Sequence, residues 1–205
     1  MKARVAACAA MLVLGATPAA AHRLDAYLQA TTIHVGKDRL QAHIRLLPGV
    51  AVFRTVVGAI DTNADGVLSG AEQRAYALVV LRDLSLAVDG QPLPLTLTTC
   101  KYASVSELQE GRGVIEIDFE ATAPRGGPDR QLTFENHHQP RIGEYLVNAL
   151  VPRDPDIHIT GQSRNYKQSS FQLKYAQAGV GTRPASAAWW SGITAWLLAP
   201  GARAP

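Results

Sequence analysis

Residues 61 to 72 read Asp-Thr-Asn-Ala-Asp-Gly-Val-Leu-Ser-Gly-Ala-Glu, with oxygen-bearing side chains at alternate positions in the first half. Asp61, Asn63 and Asp65 place two carboxylates and one amide oxygen at a spacing of two, so a coiling backbone can turn all three toward one centre. A hard cation such as calcium takes about six to eight oxygen ligands, which is the chemistry this pattern suits. Gly66 permits the sharp bend that carries the chain around such an ion. Past the bend Val67 would offer its backbone carbonyl, so its apolar side chain is no objection, and Ser69 would act directly or through water. Glu72 would close the shell with both oxygens from the first turn of a following helix, where a carboxylate is favoured by the helix dipole. A plain polar turn between two helices uses the same residue types. It would not need them in this register.

The register resembles the twelve-residue calcium loop of the EF-hand family. That resemblance implies Ca²⁺ as the bound ion, with Asp61, Asn63, Asp65, Val67, Ser69 and Glu72 as ligands and Leu68 packed inward. It spans Pro48 to Leu84 and therefore identifies a binding site, not the role of the whole chain. Signalling hands usually work in pairs, and no second Asp-x-Asn-x-Asp-Gly register is present. A single hand outside the cytosol, in the affinity class of ~10⁻⁴–10⁻³ M, reads as a permanently filled structural clip.

Helical periodicity flanks the loop. Pro48 can occupy a first turn, after which Val52, Phe53, Val56, Val57 and Ile60 recur at three- and four-residue spacing. Ala71 to Leu84 offers a second run, with Ala75, Leu78, Val79 and Arg82 on one face. Elsewhere the pattern alternates with period two, as in Leu40/Ala42/Ile44/Leu46, Ile115/Ile117/Phe119 and Phe171/Leu173/Tyr175. Further strands are expected at Tyr27 to Val35, Leu84 to Val88, Leu93 to Thr99, Gln131 to Glu135, Glu144 to Val151 and Asp156 to Thr160. Gly, Pro and Asp clusters such as Asp89-Gly90 separate them. The expected fold is mainly β: an antiparallel β-sandwich with an inserted EF-hand helix-loop-helix at 48–84 and a short C-terminal apolar helix.

The 205 residues are 47% hydrophobic and 18% charged, with a net charge of +3, which excludes a disordered or fibrous chain. Part of that charge belongs to a leader. Met1 to Arg4 carry two cations, an apolar stretch follows, and Ala19-Ala20-Ala21 ends in small residues, so residues 1–21 read as a secretory signal peptide and the chain as periplasmic or extracellular. Without Lys2 and Arg4 the twenty basic residues fall to 18, against 17 acidic ones. A nucleic-acid partner has no support in that balance. Cys8 leaves with the leader, so Cys100 has no intrachain partner and reads as a packed thiol.

The sandwich domain is expected over 22–180 and a tail over 181–205. From His22 to Asp156 there are 13 basic and 17 acidic residues; from Ile157 onward there are 5 basic residues and no acids. The uncharged stretch Ala185 to Ala199 holds Trp189, Trp190, Ile193, Trp196, Leu197 and Leu198. It is shorter than the roughly 20 residues a spanning helix needs. A membrane surface, a membrane-protein partner or the domain itself could cover it.

Among six histidines, His34 and His43 lie on the polar phases of neighbouring strands, where they either hold a transition metal weakly or face solvent. His137 and His138 are adjacent, face opposite ways in an extended chain, and so do not serve one metal. His22 would be the processed N-terminus. No nucleophile elbow, phosphate loop or HExxH helix appears, so the chain is not read as an enzyme, although the polar cluster Arg141, Glu144, Asn148, Arg153, Asp154 and Asp156 keeps an envelope hydrolase as an unsupported alternative. The start His22-Arg23-Leu24-Asp25, followed by a β domain with an inserted hand, is similar to the exported domain of HupE/UreJ-type metal-transport accessory proteins. The resemblance implies an envelope companion handling nickel, cobalt or copper. The multi-helix membrane region that holds the transport histidines of that family is not in this sequence, so transport itself does not carry over.

Overall fold

The computed structural model describes residues 25–178; the leader at 1–21 and the tail at 181–205 lie outside that range, as does the expected C-terminal helix. The described chain is mainly β. Strands β1 (Tyr27–Val35), β2 (Arg39–Pro48), β5 (Thr96–Tyr102), β6 (Ile115–Thr122) and β8 (Gly143–Ala149) form one five-stranded sheet in the order β5-β6-β2-β1-β8. Strands β3 (Leu84–Val88), β4 (Gln91–Pro92), β7 (Asp129–Asn136), β9 (Ile157–Arg164) and β10 (Ser170–Gln177) form the second, in the order β4-β3-β7-β10-β9. The pairing is antiparallel except between β1 and β8, which run parallel. Three helices complete the described chain: α1 (Phe53–Ile60), preceded by a 3₁₀ turn at Val50–Val52, α2 (Gly70–Arg82) and α3 (Val105–Gln109).

Alternation explains the strands. In β1 and β6 every second residue is buried, and the buried phases of both sheets, including Ile33, Ile44 and Ile117 from the first and Leu86, Phe134 and Phe171 from the second, belong to one core cluster. Asp89 and Gly90 both take positive φ, +51° and +78°, as a two-residue turn between twisted strands requires. The strand expected at Leu93 to Thr99 instead begins only at Thr96, as β5, and runs on to Tyr102; Pro94, which lacks a ladder donor, falls in the gap that separates it from the two-residue β4.

Between the edges of the two sheets sits a clasp. Arg164 of β9 sends Nε to the Val147 carbonyl of β8 at 2.7 Å and Nη2 to Asn148 Oδ1 at 2.8 Å, with its guanidinium 4.8 Å from the centre of the Phe171 ring.

Helices α1 and α2 carry the chain from β2 in the first sheet to β3 in the second. The first buries Val56, Val57 and Ile60, with Val52 of the preceding turn, as its periodicity predicts. Helix α2 is where expected, yet its buried face is Glu72, Tyr76, Ala77, Val80 and Leu81, while Ala75 and Leu78 are exposed. The rotation follows from Tyr76, whose hydroxyl is engaged inside the domain.

Candidate metal centre

Helix α1 ends where Asp61 N–H donates to the Val57 carbonyl at 2.8 Å. The Asp61 carboxylate then folds over the chain that follows: Oδ1 accepts from Asp65 N–H at 3.1 Å and Oδ2 from Gly66 N–H at 2.9 Å. Asn63 Oδ1 also accepts from Asp65 N–H at 3.1 Å, its Nδ2 donates to Asp65 Oδ2 at 2.8 Å, and Asp65 Oδ1 accepts from Val67 N–H at 2.8 Å. Ala64 (φ +58°) and Gly66 (φ +79°) supply the left-handed residues that tighten this coil. A Cβ at Gly66 would meet nothing within 4 Å, so Gly66→Ala incurs only the backbone cost, roughly 1–2 kcal/mol, measurable as a lowered urea midpoint.

At the other end Ser69 caps α2. Its Oγ accepts from Glu72 N–H at 3.3 Å and donates to Glu72 Oε2 at 2.7 Å, while Ser69 N–H donates to the same oxygen at 3.0 Å. The other oxygen of Glu72 reaches back across the loop, accepting from Thr62 N–H at 2.8 Å and Thr62 Oγ1 at 3.1 Å. The two ends of the loop therefore meet on one carboxylate, which is only 9% exposed. Donors from Ser69 first, then from Thr62, hold the Glu72 carboxyl down at about 2. Leu68 packs against the core, and Gln73 Nε2 fixes its carbonyl at 2.8 Å; Val67, by contrast, is 63% exposed.

The donor set of Asp61, Asn63, Asp65, Ser69, Glu72 and the Val67 carbonyl is oxygen throughout, which fits a hard cation and not a soft one. Among the described residues, however, no three His, Cys, Asp or Glu side chains converge as a metal-holding group. The geometry gives the reason: Asp61 and Asp65 are turned onto backbone N–H groups, and Glu72 is divided between Ser69 and Thr62. An ion would have to draw Glu72 away from those partners. Thr62 is the participant that the sequence pattern does not mark.

No family model, curated protein or solved structure matches the chain. What the loop does must come from its own residues.

The histidines divide by environment. His43 sits opposite Thr32 and His34 opposite Gln41, so the two are diagonal neighbours on β2 and β1 and line a cavity of about 330 Å³. His43 Nδ1 is bound to Asp118 Oδ1 at 2.7 Å, and Thr99 Oγ1 donates to Asp118 Oδ2 at 2.7 Å. His137 is exposed and His138 buried, facing opposite ways. His138 lies in a chain that sequence patterning does not reveal. Its Nδ1 is 2.7 Å from Asp83 Oδ2 at the end of α2, its Nε2 3.0 Å from the Tyr76 hydroxyl, and Tyr76 is 3.0 Å from the Tyr27 hydroxyl. Gln29 Nε2 and the Tyr145 hydroxyl both donate to the His138 carbonyl, at 2.9 Å each. Burial holds the His138 imidazole below its usual 6.5 despite Asp83, and lifts the Tyr76 phenol to about 12.

These shifts set an acid profile. Glu72, lowered from 4.5, contributes stability that is complete above about pH 4.5 and lost as pH falls toward 2. The imidazole of His138 resists charging in the fold, so stability is lost once pH falls below about 6.5, where the unfolded chain takes up the proton first. Urea midpoints measured from pH 7.5 to 3 should fall in two stages, and His138→Gln should remove the upper one.

Proposed function

We propose that this chain is an exported calcium-binding protein, in which an EF-hand loop at 61–72 holds one Ca²⁺ as a structural clip within a β-sandwich. The observation that carries the reading is the closure of the loop by Glu72, whose carboxylate reaches from the first turn of α2 to Thr62 while Asp61, Asn63 and Asp65 crowd the opposite turn. Asp61, Asn63, Asp65, Ser69 and Glu72 would bind through side chains and Val67 through its carbonyl. Once Glu72 had turned from Thr62 and Ser69 toward Asp61 and Asp65, a bound ion would neutralise three carboxylates that otherwise repel. The shared core of the two sheets supports the sandwich, and the fixed ends of α1 and α2 give the clip something to hold.

Calorimetric titration of the full chain with calcium should give one site, and the pair Asp61→Asn with Asp65→Asn should abolish it. Equal calcium binding by that double variant would defeat the assignment. The acid-free tail remains the segment that would meet a membrane surface or membrane-protein partner.

A further inference from the structure

The four-residue chain Tyr27–Tyr76–His138–Asp83 has a direction, and we propose that it makes calcium capture at the loop sensitive to mild acid by fastening helix α2 only while His138 is neutral. This rests on the calcium reading above and names a regulation of that same site. Every group in the chain is satisfied when Nδ1–H of His138 donates to Asp83, Nε2 accepts from the Tyr76 hydroxyl, and the Tyr76 oxygen accepts from Tyr27. A proton added at Nε2 turns that nitrogen into a donor. The Tyr76 hydroxyl must then point its hydrogen at Tyr27, and the hydrogen of Tyr27, which is 0% exposed, is left with no acceptor among the described residues. Asp83 from the end of α2, Tyr76 from α2, Tyr27 from β1, and Tyr145, through its bond to the His138 carbonyl, are the titratable groups that meet this residue.

The strain falls on α2. Tyr76 lies one turn beyond Glu72 on the buried face of the same helix, so a shift of that turn moves the carboxylate that closes the loop. By reciprocity, calcium that fixes Glu72 also fixes Tyr76 and makes His138 harder to charge.

The test is calcium titration of the full chain at pH 7.5, 6.5 and 5.5, with wild type and His138→Gln. Glu72 stays ionised throughout that interval, so its own titration does not account for a change. Wild-type affinity should fall between about twofold and tenfold from pH 7.5 to 5.5, tenfold being the ceiling for one coupled proton whose pKa lies below 6.5, and the variant should change less than twofold. Equal slopes in the two proteins, or no slope in either, overturn the coupling while leaving calcium binding intact. Absence of calcium binding at every pH overturns the calcium reading itself. If His138→Gln does not fold, Asp83→Asn takes its place; it keeps an acceptor for Nδ1–H, disfavours the charged ring, and should displace the loss of affinity to lower pH.

Discussion

Glu72→Gln should remove the response of thermal stability to calcium. A site in the ~10⁻⁴ M class, at about 10 mM calcium, sits near a hundredfold saturation, which stabilises the folded state by about 2.7 kcal/mol. For a domain of this size that is a rise in Tm of about 5–10 °C. The glutamine keeps one carbonyl oxygen to accept from Thr62 or Ser69, so the fold and the cap of α2 should persist in chelator, while the bidentate negative ligand that the proposed calcium site requires would be gone. Differential scanning in calcium and in chelator separates the two roles. A calcium-dependent rise in Glu72→Gln equal to that of wild type would show that this carboxylate does not hold the ion.

The largest loss of stability outside the apolar core is expected at His138. His138→Leu fills most of the ring's volume but leaves the Tyr76 hydroxyl without its acceptor and Asp83 without its donor. Asp83 is 39% exposed in its side chain and can turn to water, so the main penalty is the buried Tyr76 hydroxyl plus imperfect packing against Tyr27 and Tyr76, whose rings meet the imidazole edge-on. Together these cost about 2–4 kcal/mol. The urea midpoint should drop with the slope unchanged. Tyr27→Phe removes only the terminal donor of the chain and should cost about 1 kcal/mol, so the two variants rank the links of the network.

The sequence is most legible where a local rule acts alone. Strand β3 falls on Leu84–Val88 and β1 on Tyr27–Val35, as period-two alternation predicts, because each strand buries one face of its own residues. The loop is legible for a similar reason: Asp61, Asn63, Asp65 and Gly66 fold onto one another through bonds spanning no more than five residues. Helix α3 carries a signal that the strand pattern obscures, since Ser104 and Glu107 form a reciprocal cap identical in spacing to Ser69 and Glu72.

What alternation cannot supply is the identity of distant partners. The parallel pairing of β1 with β8 joins segments more than a hundred residues apart. The inward face of α2 is set by Tyr27 and His138 and not by the helix's own aliphatic count, which is why Leu78 is exposed and Tyr76 is not. His138 itself sits just past β7, where no periodicity marks a residue as interior.

The Arg164 clasp bears on how the molecule behaves in a crowd of its own kind. Strand β8 is an edge strand, and an edge with unpaired carbonyls is a template on which a second chain can add a strand. Arg164 occupies the Val147 carbonyl from the opposite sheet and sets a guanidinium beside that edge. Exposed Leu146, Leu150 and Val151 lie on or next to the same strand, where an unguarded edge would be stickiest. The same side chain that fastens the two sheets thus takes one acceptor out of that edge and leaves a charge beside it, the two features that oppose strand addition.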